Sequence, residues 1–246
     1  MMKAELCIDS YEGAKIAYDL GFDSVEINSS LYLGGITPGL GLVRNIAENL
    51  EIDTMVMVRN RPGGFNYTDQ EFEEMKKELD IFLEEDIKGI VFGFITADFE
   101  IDQEKTKYFV DRIHEKGKKA IFHRAYDNTK DPYRSMELLI DLGVDRVLTS
   151  GQEETAFEGR RLLKNLFVNY GNDIEIIGGA GLNSSNIAEF IDHTGLELVH
   201  STCKTFREDL TTSYKVSYSF MDGEKINSYQ VVSKEEARDF IREVKN

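Results

Sequence analysis

The chain is predicted to fold as a (β/α)₈ barrel, a TIM barrel, and three observations lead there. Short apolar strand candidates alternate with longer helical segments, eight times over, through the first 200 residues. One helix-to-strand corner recurs: Leu20-Gly21-Phe22-Asp23-Ser24-Val25, Leu142-Gly143-Val144-Asp145-Arg146-Val147 and Thr194-Gly195-Leu196-Glu197-Leu198-Val199. Each copy has a glycine where a helix stops in a left-handed cap, then an acid, then an apolar strand. The length of 246 residues also lies near the roughly 250 typical of this barrel. An open doubly wound sheet is the alternative.

In chain order the strands are expected at 4–8, 24–27, 53–58, 89–93, 119–123, 146–149, 174–178 and 197–200. Residues 69–86 should be helical, because Phe72, Met75, Leu79, Phe82 and Leu83 step by three and four along one face. Asp131-Pro132 has the form of an N-cap followed by proline at the first helical position. After His200 the rhythm changes. An alternating run 214–220, an Asp222-Gly223 turn and a run 225–232 predict a hairpin inserted between strand eight and the last helix. Ser233 and Glu236 form the expected capping box of that helix. No Pro/Gly/Ser-rich linker divides the chain, so residues 1–246 are expected to be one domain, with 205–232 an irregular insertion on the rim.

Composition narrows the function. With 45 acids against 29 bases and a formal charge of −16, a nucleic-acid backbone is excluded as the main partner. No run of about 18 apolar residues occurs, so no membrane span is expected. Two cysteines, Cys7 and Cys203, and no signal-type h-region at the start fit a cytoplasmic protein.

In a barrel of this class the C-terminal strand ends carry the chemistry. The most concentrated segment is Phe122-His123-Arg124-Ala125-Tyr126-Asp127, at the end of the fifth strand. Period-two alternation aims Cys7, Glu26 and His123 inward if Leu6, Ile27 and Phe122 face the helices. Glu26, His123 and Asp127 are therefore the candidate acid–base residues. Alternatively, Glu26 is a buried acid paired with Arg59 or Arg124. Arg59 and Arg61, in a loop with Gly63 and Gly64, together with Arg124, Ser150 and Ser201, are candidate anion ligands. The run Gly178-Gly179-Ala180-Gly181, before a helix expected near Asn183, either cradles phosphate through Gly179 and Gly181 or is a tight turn. His114 and His193 are expected to be solvated. Metal-ligand spacing of the Cys-x-x-Cys or His-x-x-x-His type is missing, but a barrel could bring Cys7, Cys203, Met57, His123 and His200 together from different strands, with Cys7, His123 and His200 the candidate ligands.

Taken together, Glu5-Leu6-Cys7-Ile8-Asp9-Ser10, Val25-Glu26-Ile27, Gly34-Gly35-Ile36-Thr37-Pro38-Gly39-Leu40-Gly41, Met57-Val58-Arg59, Phe122-His123-Arg124-Ala125-Tyr126-Asp127, Val147-Leu148-Thr149-Ser150-Gly151 and Gly179-Ala180-Gly181 resemble the CutC family. The resemblance implies a TIM barrel, cytoplasmic copper homeostasis and Cu(I) binding, with ligands at the positions of Cys7 and Asn28. Asparagine is a poor Cu(I) ligand, so a two-thiolate site cannot form there. The alternative is an enzyme acting on a small anionic or phosphorylated metabolite. A homodimer through the hairpin is expected.

Overall fold

The computed structural model describes residues 2–246. Eight parallel strands close into a barrel in sequence order: β1 Lys3–Ile8, β2 Ser24–Ile27, β3 Asp53–Met57, β4 Gly89–Phe92, β5 Lys119–Phe122, β6 Arg146–Thr149, β7 Glu175–Gly178 and β8 Leu198–Ser201. The helices between and after them are α1 Tyr11–Leu20, α2 Leu40–Asn49, α3 Asp69–Leu83, α4 Gln103–His114, α5 Pro132–Asp141, α6 Arg160–Tyr170, α7 Ile187–Thr194 and α8 Lys234–Lys245. The barrel closes where Glu5 of β1 registers with His200 of β8.

Alternation sorts each strand. Leu6, Ile8, Val25, Ile27, Val56, Phe92, Phe122, Val147, Ile176 and Val199 pack outward under the helices. Met55, Met57, Val91 and Ile121 fill one part of the interior, and Leu148, Ile177 and Leu198 fill another. Between them the interior is polar. Glu5 accepts from Arg146 Nη1 at 2.9 Å and from Ser24 Oγ at 2.8 Å, while Arg146 Nε reaches Glu175 at 2.5 Å.

The helix signals are seated as their chemistry requires. Thr68 and Glu71 complete a reciprocal capping box on α3, and Asp131 accepts from the Tyr133 and Arg134 amides ahead of Pro132. Gly21, Gly143 and Gly195 all adopt positive φ, so the repeated corner is real. Two expectations are corrected. The helix expected near Asn183 starts at Ile187, because Asn183 and Asn186 bond one another in a preceding turn. On α8, Ser233 caps the Glu236 amide, but the Glu236 carboxylate turns away to the Ser184 N–H and Oγ, at 2.6 and 2.9 Å.

The hairpin exists with different strands. β9 Lys204–Glu208 pairs antiparallel with β10 Ser228–Val232, and residues 209–227 form a long connection. The run 214–220 is no strand. Tyr214, Val216, Tyr218 and Phe220 are exposed, with no sheet edge beside them, whereas 204–208 leaves β8 already extended and adjacent to β10. Asp222-Gly223 opens a single 3₁₀ turn instead of the hairpin bend.

Candidate functional site

The C-terminal strand ends surround a cavity of about 620 Å³, within the usual range for a small-molecule site. Cys7, Met57, His123, Leu148 and His200 line its depth, and Arg59, Arg124 and the segments 180–183 and 201–205 line its walls and rim.

The β1–β2–β8 side is a buried relay. His200 Nδ1 lies 3.2 Å from Glu5 Oε1, and Asn28 Nδ2 donates to Glu26 Oε1 at 2.7 Å and to Cys7 Sγ at 3.3 Å. The Cys7 thiol points at Glu26 Oε1 from 3.7 Å. One ligand atom each of Cys7, Glu26 and His200 lies within 4.8 Å of the others. Burial favours neutral Glu5, but the Arg146 charge and the bonds from His200 and Ser24 outweigh it and hold the carboxyl well below its usual range. Burial raises Glu26, with the Glu5 charge adding to it against the pull of His200. Burial would lower His200, yet the Glu26 charge and the Glu5 bond win, and its pKa rises. Cys7 is pushed well up by burial and then by Glu26 and Glu5.

The β3–β5 side is built from donors. Arg59 Nη1 is held by Gly35 O at 2.8 Å and Nη2 by Gly63 O at 2.6 Å. Phe65 lies between Arg59, 4.9 Å away, and the His123 ring, 4.8 Å away. His123 Nδ1 accepts the Ala125 N–H at 3.1 Å. Burial, and then the Arg59 charge, lower the His123 pKa to about 3, so the ring is neutral. Arg59 Nε and His123 Nε2 are buried without a partner among the described residues.

On the β7–β8 rim, the N–H groups of Ala180, Gly181 and Leu182 have no protein partner among the described residues, and all three residues line the cavity. Ala180 and Gly181 both take positive φ. Ser201 Oγ donates to Leu182 O at 2.7 Å and so fixes this segment.

Several expected roles are therefore relocated. Glu26 faces Cys7, Asn28 and His200 instead of Arg59 or Arg124. Asp127 is no acid–base group at the cavity: it accepts from Arg124 Nε, Thr149 Oγ1, Ser150 and the Gln152 N–H, organising the β5 and β6 loops. Ser150 Oγ is spent on Asp127 and Glu153 O while accepting from Arg124, so it is not a free anion ligand. Arg61 lies outside the cavity, clamped on Glu71 and the Gly64 and Asn66 carbonyls. Gly179 gives its N–H to Thr149 O, and a Cβ there would meet Leu148 at 2.8 Å and His200 at 3.1 Å; it is a close-packing position, and the open amides begin one residue later. His123 is not in the three-donor group, where Glu26 takes its place beside Cys7 and His200. His193 and His114 are both exposed as expected, and His114 also pairs with Asp145 at 2.8 Å.

Glu5, Arg146 and Leu182 were not singled out as site residues by the sequence. Glu5 and Cys7, like Ser24 and Glu26, are two residues apart on one strand, so alternation places each pair on the same inner face. Arg146 shares that face with Leu148.

A model of the CutC family matches residues 2–205. A family protein CutC of Treponema denticola is 36% identical over 211 residues, covering 86% of this chain and 85% of the relative. That of Histophilus somni is 38% identical over 207 residues, covering 84% of each. The crystal structure titled as the putative copper homeostasis protein CutC from Streptococcus agalactiae superposes with a TM-score of 0.77 at 27% identity, covering 82% of this chain and 99% of that one.

Proposed function

The chain belongs to the CutC family, and from that premise we propose that it is an enzyme moving a proton on a small anionic, phosphorylated metabolite. One observation carries the reading: His200 lines the cavity, bonded on one side to Glu5 and lying on the other within 4.8 Å of Glu26 and Cys7. Glu5, fixed by Arg146, takes the Nδ1–H and leaves His200 Nε2 for exchange. Glu26 and His200 hold a proton between them. With the proton on Glu26, Nε2 is a base; with the proton on His200, it is an acid.

The anionic end of the substrate fits the β7–β8 rim. Three open amides at Ala180–Leu182, in a cavity also lined by Arg124, form the kind of backbone concavity that binds phosphate. Incubating the protein with small sugar phosphates and hydroxy acids in deuterated water, and following solvent exchange at carbon by NMR, tests this. Exchange should occur with a phosphorylated compound and fall about 10²–10⁴-fold in Glu26→Gln and His200→Gln. A panel without exchange, or variants as fast as the parent, would reject the proposal.

A metal reading rests on the three donors within 4.8 Å. They do not fit Cu(I): the set contains one sulfur, one imidazole and one hard carboxylate, with Asn28 where a second thiolate is needed. Burial and two carboxylates keep the Cys7 sulfur protonated. Competition against a Cu(I) chelator should show no binding beyond generic levels, and no change in Cys7→Ser; tight binding lost in that variant would restore the copper role. Cytoplasmic location belongs to the same proposal, supported by two buried, unpaired cysteines. So does a homodimer through the hairpin region, which a monomer in light scattering at micromolar concentration would refute.

A further inference from the structure

His123 is the strand-end histidine that the proton relay does not use. Its tautomer follows from geometry. Nδ1 accepts the Ala125 N–H, so its lone pair is occupied there and the ring proton sits on Nε2. Nε2–H is then a donor, buried and unpartnered among the described residues, on a residue that lines the cavity. The ring is also locked in place. Phe65 packs on it, and Gly93 approaches so closely that a Cβ there would stand 2.5 Å from both Cε1 and Nδ1. A buried donor without an acceptor is costly, and a fixed one is suited to an oxygen supplied by a ligand.

We propose that His123 Nε2–H seats a carbonyl or carboxylate oxygen of the substrate, making the substrate a phosphorylated carbonyl compound and the reaction a proton transfer beside that carbonyl. The inference rests on the proton-moving reading above and specifies it. A C–H bond next to the carbonyl breaks. Its proton goes to His200 Nε2, while Glu26 retains its own, and its electron pair forms the C=C bond. Negative charge is left on the oxygen facing His123. Return of the proton from His200 Nε2 to the same carbon restores the carbonyl and closes the step, so no oxidant or reductant is consumed. A neutral imidazole suits this work, because it donates to the oxygen without surrendering its proton outright.

The test uses the whole protein labelled with ¹⁵N at histidine, with the His123 signals assigned by their loss in His123→Gln. The ring should show the Nε2–H tautomer, unchanged between pH 5 and 8. The Nδ1–H form, or titration in that window, would overturn the proposal. Two probes then test the seat: 2-phosphoglycolate, with a carboxylate beyond its phosphate, and ethyl phosphate, with none. The first should move the Nε2–H signal and bind at least tenfold tighter than the second. That preference should vanish in His123→Phe and survive in part in His123→Gln, which keeps an N–H donor. A signal moved by neither probe, or equally by both, defeats the proposal. Failure of the underlying proton-moving reading is a separate result, seen as unaltered exchange in Glu26→Gln.

Discussion

On the β1–β2–β8 side of the mouth, the buried groups of the Glu5–His200–Glu26 relay answer one another: Arg146 holds Glu5, Glu5 holds His200, and Asn28 links Glu26 to Cys7. On the β3–β5 side of the same cavity, Arg59 and His123 each keep a buried N–H without an acceptor among the described residues. The two histidines illustrate the contrast. Carboxylates surround His200 and raise its pKa, whereas burial and an arginine charge lower that of His123. One residue type is thus held among carboxylates on one wall and kept neutral beside an arginine on the other. Charge context, rather than residue identity, assigns the roles.

The largest expected effect comes from breaking the self-satisfied wall. Arg146→Ala leaves the buried Glu5 without its cation, while the partly exposed Glu175 keeps Lys119 at 3.6 Å, and should cost about 3–5 kcal/mol in urea unfolding. A variant as stable as the parent would show that the network does not hold this wall. Next comes pH. His200 contributes stability fully below its unfolded pKa near 6.5 and loses it as the pH rises through the higher folded value. His123 behaves oppositely: its contribution is present above 6.5 and fades as the pH falls toward about 3, because the unfolded chain takes up the proton first. Urea unfolding across pH should therefore flatten on the alkaline side in His200→Gln and on the acid side in His123→Gln. Identical profiles would dissolve the contrast.

A smaller effect concerns the rim. Ala180 is held at φ 93°, a region costly for any side chain, so Ala180→Gly should stabilise by about 1 kcal/mol while leaving the three amides in place. Thermal unfolding checks it. The smallest effect is expected at Arg61, which lies outside the cavity. Arg61→Ala should change phosphate-probe affinity by less than about twofold in calorimetry, as for an ion pair at the surface. A large loss would move the anion site to the β3 loop.

The barrel was legible because its determinants are local. Glycines with positive φ end helices just before apolar strands, and period-two alternation separates Leu6 and Ile27 from Cys7 and Glu26. The relay was harder to see. Its key contacts join Glu5 to Arg146 and to His200 across most of the chain, so no spacing motif encodes them. Asp127 was located at the right loop but assigned acid–base chemistry, because sequence does not reveal that a carboxylate already accepts from two backbone amides. The hairpin misled for a related reason. The alternating aromatics at 214–220 satisfy the strand pattern, yet the pairing partner of β10 is decided by where β8 releases the chain.

The family model ends at residue 205, yet the first turn of α8 reaches back over the mouth, where Glu236 grips Ser184 beside the open amides and itself lines the cavity. Heritable change can therefore act on ligand preference from outside the shared barrel. A substitution in this last stretch would shift the Ala180–Ser184 segment while leaving every inward-facing strand residue untouched. Relatives could thus differ in the shape of the cavity mouth while keeping the same barrel interior.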